Sequence, residues 1–132
     1  MKPITTLRRL VLSLCVVAAA VVQAAAQINT EQVLRVGRNA LYFEDYVLSI
    51  QYFNRVIDAK PYLAEPYFLR AIAKYNLEDY AGAEADATRS IELNPFVADA
   101  WEVRGVSRQN QGRDSAAVED YRKALDLLPR NR

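Results

Sequence analysis

The chain has 132 residues, 52% of them apolar and 25% charged, and a formal net charge of +1; this is ordinary material for one folded domain and far from a disordered composition. Four glycines and five prolines are too few for the many tight turns of an all-β protein. There is no histidine, and Cys15 is the single cysteine, so an intramolecular disulfide, a thiolate-rich zinc site and the commonest general base are excluded together.

The first 26 residues have the layout of a secretory signal peptide. Lys2, Arg8 and Arg9 make a positive start, Leu10 to Val22 is apolar except for Ser13, and Ala24-Ala25-Ala26 offers small residues for cleavage. Cleavage is predicted after Ala26, which leaves Gln27 first. The alternative is an uncleaved N-terminal anchor, because the apolar stretch extended through Ala26 approaches the length that spans a bilayer. Lipidation at Cys15 is disfavoured, since Leu14 is bulky where such a signal needs a small residue. Removing residues 1–26 takes away three cations and no acid, leaving 14 basic and 16 acidic residues, a net charge of −2. No cluster of lysine and arginine follows one face, so no nucleic-acid partner is expected. The alanine-rich signal points to export into a bacterial periplasm or cell envelope. A membrane enters only if the N-terminal segment is retained.

After the leader, apolar residues recur at three- and four-residue steps. Val33, Val36, Gly37, Ala40 and Leu41 predict a helix over about 30–43. Glu44-Asp45 interrupts it, and Asp45 is placed to cap a second helix in which Ser49, Ile50, Phe53, Val56 and Ile57 share a face. Lys60-Pro61 ends that helix, because the proline ring disfavours helical geometry in the residue before it. Pro66 then stands in the first turn of a helix carrying Tyr67, Ala71, Tyr75 and Leu77. Glu78-Asp79-Tyr80 copies Glu44-Asp45-Tyr46, and Ala83, Ala87, Ile91 and Leu93 line the next helix. The last third repeats the layout: Gly112 ends a helix begun near Trp101, and Asp114 begins another.

The layout returns every 34 residues. Pro61, Pro95 and Pro129 mark the period. Adding 34 to Tyr67, Arg70, Ala71, Ala83 and Ser90 gives Trp101, Arg104, Gly105, Ala117 and Ala124; subtracting it gives Val33, Val36, Gly37, Ser49 and Val56. An aromatic residue early, small residues at the eighth, twentieth and twenty-seventh places and proline at the thirty-second resemble the tetratricopeptide repeat. The resemblance implies an all-α fold, a right-handed α-solenoid of six antiparallel helices in three helix-turn-helix units at about 30–63, 64–97 and 98–131. Lys74 and Arg108 depart from it at a place usually aromatic, and Ser49 and Val56 replace the usual alanines.

Arg70 and Asp86 hold the seventh and twenty-third places of the second unit, and Arg104 and Asp120 hold them in the third. In the first unit both places are uncharged, Val36 and Tyr52. Residues that come and go together are expected to meet, so partly buried structural ion pairs are predicted between the helices of each later hairpin.

The resemblance also implies a ligand groove along the first helices, on the concave side. Its places hold Glu31, Leu34, Arg38, Leu41 and Tyr42, then Glu65, Phe68, Ile72, Tyr75 and Asn76, then Asp99, Glu102, Val106, Gln109 and Asn110. Phe68 and Tyr75 are the expected anchors, with Arg38, Asn76 and Asn110 available to a ligand's backbone or carboxylate. Packing against neighbouring helices is the plainer reading of Phe68 and Ile72. Some tetratricopeptide domains clamp a C-terminal carboxylate with cations and amides across three first helices. Here the matching places hold Leu34, Arg38, Leu69, Asp99 and Val103, one cation and one acid, so that clamp is not expected. Glu31, Glu65 and Asp99 suit the positive end of a helix dipole better than a basic ligand.

No glycine-rich phosphate loop, nucleophile motif, metal-ligand cluster or paired carboxylate in a cleft is visible, so no catalytic residue, cofactor or metal is expected. Leu125 and Leu128 lie on a last helix with no helix after it, where a stacked array needs a polar cap. Three readings follow: the front of a longer protein acting as a recruitment segment, self-association through that end, or tolerated exposure. The expected function is a non-catalytic scaffold binding a protein or peptide in the groove, with a self-associating structural module as the alternative.

Overall fold

The computed structural model describes the backbone of residues 2–129 and the side chains of 3–22 and 29–129. The side chains flanking the predicted cleavage point, and residues 130–132, lie outside the described residues. Among the described residues six helices follow one another: α1 (Lys2–Tyr42), α2 (Tyr46–Ala59), α3 (Ala64–Asn76), α4 (Tyr80–Leu93), α5 (Ala98–Asn110) and α6 (Asp114–Leu127). Among the described residues there is no strand. The chain divides into two compact units, Met1–Gln32 and Val33–Arg132.

The first unit is helical and strongly apolar. Pro3–Val22 has a mean hydropathy of 1.8 and no buried share, and by length and composition it is long enough to cross a membrane. Its one serine, Ser13, donates its hydroxyl back to the Arg9 carbonyl at 3.0 Å, one turn earlier.

The second unit is an all-α helical-repeat solenoid, and its three hairpins turn in the same way. Glu44, Glu78 and Gly112, spaced by 34 residues, take φ values of 62°, 63° and 79°. A single left-handed residue ends each first helix. Glycine adopts that geometry freely, whereas a glutamate pays about 1–2 kcal/mol for it. Asp45 and Asp79 then accept hydrogen bonds from the Leu48 and Gly82 amides at 3.3 and 3.0 Å and cap α2 and α4. In the third unit Arg113 stands at the cap without such a bond, and Asp114 supplies the first-turn acid instead.

Within a hairpin the two helices approach closely because one side chain is nearly absent. A Cβ on Gly37 would lie 2.7 Å from Phe53 Cε1, and one on Gly105 2.7 Å from Tyr121 Cε1. Ala71, at the same place in the second unit, is fully buried. Between hairpins, the first helix is tied to the loop before it. Tyr67 donates its hydroxyl to the Pro61 carbonyl at 3.0 Å, and Trp101 donates its indole N–H to the Pro95 carbonyl at 2.8 Å. α2 packs on α3, α3 on α4, α4 on α5 and α5 on α6. The core is correspondingly small-residued: Phe53 and Val56 at one end, then Ala71, Ala83, Ala87, Ala100 and Ala117.

Candidate ligand groove

A layer of charge lies between the helices of the second and third hairpins. Arg70 grips Asp86 with Nε and Nη2, each 2.7 Å from a carboxylate oxygen, and its third donor reaches Asn54 Oδ1 at 2.8 Å. Lys74 adds a second cation to Asp86 at 3.0 Å. The bond to Asp86 raises the Arg70 pKa, against the lowering effect of burial. In the third unit Arg104 reaches Asp120 at 2.8 Å and Arg108 reaches it at 3.1 Å. Lys74 and Arg108, the departures from the repeat pattern, are thus the second partners of the two buried aspartates. Their counterpart in the first unit is Ala40, where the aspartate's place is Tyr52 and no acid needs them.

Arg108 also donates to Glu84 at 2.7 Å, and Glu84 accepts from Gln111 at 3.1 Å and from Arg113 as well. Burial alone would raise the pKa of Glu84. The bonds from Arg113, Arg108 and Gln111 outweigh it and hold the carboxyl at about 2, below its usual 4.5. These contacts bind α4 to the hairpin that follows it. They are structural: every charge in the layer faces a partner of opposite sign.

The ligand-facing candidates lie along the first helices. α3 and α5 enclose a cleft of about 250 Å³ walled by Ile72, Tyr75, Glu102, Val103 and Val106. Tyr75 sets its ring edge-on to Tyr80, 5.5 Å between centroids, and Asn110 Nδ2 lies 3.4 Å from its hydroxyl. The amides of Asn76 and Asn110 each donate to the carbonyl one turn back, Ile72 at 2.8 Å and Val106 at 2.7 Å. That bond orients each amide and leaves its carbonyl oxygen as an acceptor for a ligand. Gln109 is turned toward α6, where its Oε1 accepts the Tyr121 hydroxyl at 2.7 Å. Burial raises the Tyr121 pKa first, with Tyr75, Glu102 and Asp120 adding to it, so the hydroxyl stays protonated as that donor.

The remaining groove residues do not converge on this cleft. Arg38 is ion-paired with Glu65, so it does not stand as an isolated cation. Tyr42 is exposed and packs edge-on against Phe43. Phe68 lines a second cleft of about 290 Å³ with Ala64, Glu65, Ser90, Asn94 and Val97. The two expected anchors, Phe68 and Tyr75, therefore face different clefts. Val103, which the sequence placed only among the positions of a carboxylate clamp, is a wall residue of this cleft, and its i, i+3 spacing from Val106 is the signal that marks it. The cleft's charge comes from Glu102, with Asp99 one turn earlier on α5.

Residues 98–131 match the family model described as tetratricopeptide repeat. The chain is similar to the first TPR of Spaghetti (RPAP3) bound to the HSP90 peptide SRMEEVD, at 27% identity and a TM-score of 0.74, covering 77% of this chain and 81% of that one. It is similar to the second TPR domain of human RPAP3 in complex with the HSP70 peptide SGPTIEEVD, at 26% identity and a TM-score of 0.75, covering 80% and 88%. The Arabidopsis OM64 TPR domain shares 26% identity with a TM-score of 0.75, covering 78% and 85%. No curated protein matched the chain. The family match in the third unit and these likenesses support placing the repeat array among tetratricopeptide repeats.

Proposed function

We propose that this chain is a non-catalytic protein-interaction module that takes an extended peptide across α3 and α5. One apolar side chain of the peptide sits between Ile72, Tyr75, Val103 and Val106, and its backbone meets Asn76 and Asn110. The observation that carries the reading is the cleft itself, apolar-walled, open to solvent and flanked by oriented amides. Burying a leucine-sized side chain there contributes roughly 1.5–3 kcal/mol. The RPAP3 domains it resembles are bound to HSP90 and HSP70 peptides, which supports peptide capture by this fold. Those peptides end in Glu-Glu-Val-Asp. Here Glu102 walls the cleft and Arg38 is already paired with Glu65, so a neutral or basic peptide fits better than an acidic tail.

Panning the full chain against phage-displayed random heptapeptides tests this. Selected clones should lose binding on Val106→Asp while the variant's helical circular dichroism is unchanged, and SRMEEVD should not compete. Clones that bind Val106→Asp as well as wild type would refute the groove assignment.

We also propose that residues 1–26 direct export, so that the module works in a bacterial periplasm or envelope. The layout of charge, apolar run and small residues supports it. An intact mass matching Gln27 to Arg132 in the exported fraction is the expected result; recovery of a membrane-bound chain still carrying residues 1–26 would overturn cleavage.

A further inference from the structure

Two clefts open along one stripe of α3. Glu65, Phe68, Ile72 and Tyr75 follow one another at three- and four-residue steps and so share a face of that helix. Phe68 borders the cleft of about 290 Å³ at the start of the seam between α3 and α5, where Val97 closes the far wall. Ile72 and Tyr75 border the cleft of about 250 Å³ further along the same seam. Phe68 and Tyr75 are each half-buried, and each ring leaves the space beside it open. Seven residues of helix separate Phe68 from Tyr75, about 10 Å along the axis. On the opposite wall Val97 and Val103 are six residues apart, about 9 Å. A ligand that fills both clefts therefore carries two apolar side chains about 9–10 Å apart on one side.

That span selects a backbone. In a fully extended strand, side chains on one side recur every two residues, at about 7 and 13 Å, and the residue three along points the other way. A polyproline II helix rises about 3.1 Å per residue with three residues per turn, so side chains three apart lie on one side, about 9 Å from one another. An α-helix with apolar residues seven apart has a similar span. Its N–H groups are bonded internally, however, and the side-chain carbonyl oxygens of Asn76 and Asn110, at the end of the seam, would meet none of them. A polyproline II backbone leaves its N–H groups free at every residue other than proline. Charge narrows the choice further. Glu102 is exposed on α5 between Val97 and Val106, and no cation pairs with it among the described residues, whereas Glu65 at the head of the seam is held by Arg38. The open charge midway along the path is therefore negative.

We propose that the groove ligand is a polyproline II segment with two apolar side chains three residues apart and a lysine or arginine between them. One apolar side chain enters each cleft, and the cation lies beside Glu102. This ligand class rests on peptide capture in the groove and adds to it a spacing, a backbone form and a charge.

Fluorescently labelled peptides titrated into the full chain test it. PLPKLSP holds two leucines three apart with a lysine between them; PLKLSP and PLPPKLSP bring them to two and four apart, and PSPKLSP keeps one. PLPKLSP should bind about tenfold more tightly than each of the others, all of which leave one cleft empty. Val97 stands at the N-cap of α5 without a side-chain bond, so Val97→Asn polarises the wall of the first cleft at a position that suits the new residue. It should abolish the advantage of PLPKLSP over PSPKLSP, and Phe68→Ala should do the same. Glu102→Gln should weaken PLPKLSP by about two- to fivefold and leave PLPQLSP unchanged. Equal affinities across the spacing series, an advantage that survives both cleft variants, or no binding of PLPKLSP at about 1 mM would overturn the two-cleft ligand. So would tighter binding by an alanine-rich helical peptide with leucines seven apart. In each of these cases single-anchor capture still stands if Val106→Asp weakens PSPKLSP; peptide binding that Val106→Asp leaves intact would overturn the groove assignment as well.

Discussion

Asp120→Ala removes the carboxylate at the centre of the third hairpin. Its side chain is 2% exposed and receives Arg104 at 2.8 Å and Arg108 at 3.1 Å, and those arginine side chains are 13% and 21% exposed. Loss of one partner from such a group costs about 3–5 kcal/mol, because the remaining charge is left desolvated and unpaired. Arg108 keeps its bond to Glu84, which reduces the expected cost to about 2–4 kcal/mol. For a chain of this size that lowers the unfolding midpoint by roughly 10 °C. Thermal and urea unfolding followed by far-ultraviolet circular dichroism read it directly, with Glu92→Ala as control, since Glu92 pairs with Arg89 on the surface and its loss should leave the midpoint unchanged. If Asp120→Ala unfolds with the control, the charged layer contributes nothing to stability, contrary to its burial and pairing.

Asp86→Ala should destabilise by about 1–4 kcal/mol, and no more than Asp120→Ala, because Arg70 retains Asn54 and the second cation, Lys74, has its own route to solvent; urea midpoints compare the two. Glu84 titrates at about 2 in the folded chain against a usual 4.5. Its ionised form is the one the fold holds, so its contribution is complete above pH 4.5 and disappears as pH falls toward 2. After discounting for solvent, Glu84→Gln should remove about 1–2 kcal/mol at neutral pH and flatten the acid limb of the stability profile between those values. Gly105→Ala, which drives a methyl against Tyr121, should cost about 1–3 kcal/mol, and Gly112→Ala about 1 kcal/mol through its positive φ alone. A crystal structure of Gly105→Ala with Tyr121 unmoved would contradict the first of these.

The hairpins were legible because period, breakers and small residues agree with one another. Each 34-residue step carries a turn, a close-approach residue and a proline, and the carbonyls of Pro61 and Pro95 accept from the next unit's aromatic side chain. The meeting of Arg70 with Asp86 and of Arg104 with Asp120 was legible from their joint absence in the first unit. The same logic applies to Lys74 and Arg108, one helical turn beyond each arginine, but comparison with a family pattern presents them as departures. Glu84 was hidden for a different reason. Its partners Arg108, Gln111 and Arg113 belong to another unit, and the third unit's own register holds Val118 at that place. The division of the groove was also beyond register. Phe68 and Tyr75 sit seven apart on one face of α3, yet Phe68 meets the end of α4 at Ser90 and Asn94, while Tyr75 meets α5. Gly112 was the visible sign of a left-handed turn residue; glutamate at the same place in the other units gives no such sign.

The proposed capture of a ligand in the cleft between α3 and α5 has a direct spectroscopic readout. Amide-resolved NMR titration of the full chain with the most strongly selected heptapeptide tests it most directly. Capture there should give shifts concentrated at Ile72, Tyr75, Glu102, Val103 and Val106 that vanish in Val106→Asp. Shifts concentrated instead at Val118, Leu125 and Leu128, or on the outer faces of α2 and α4, would contradict it.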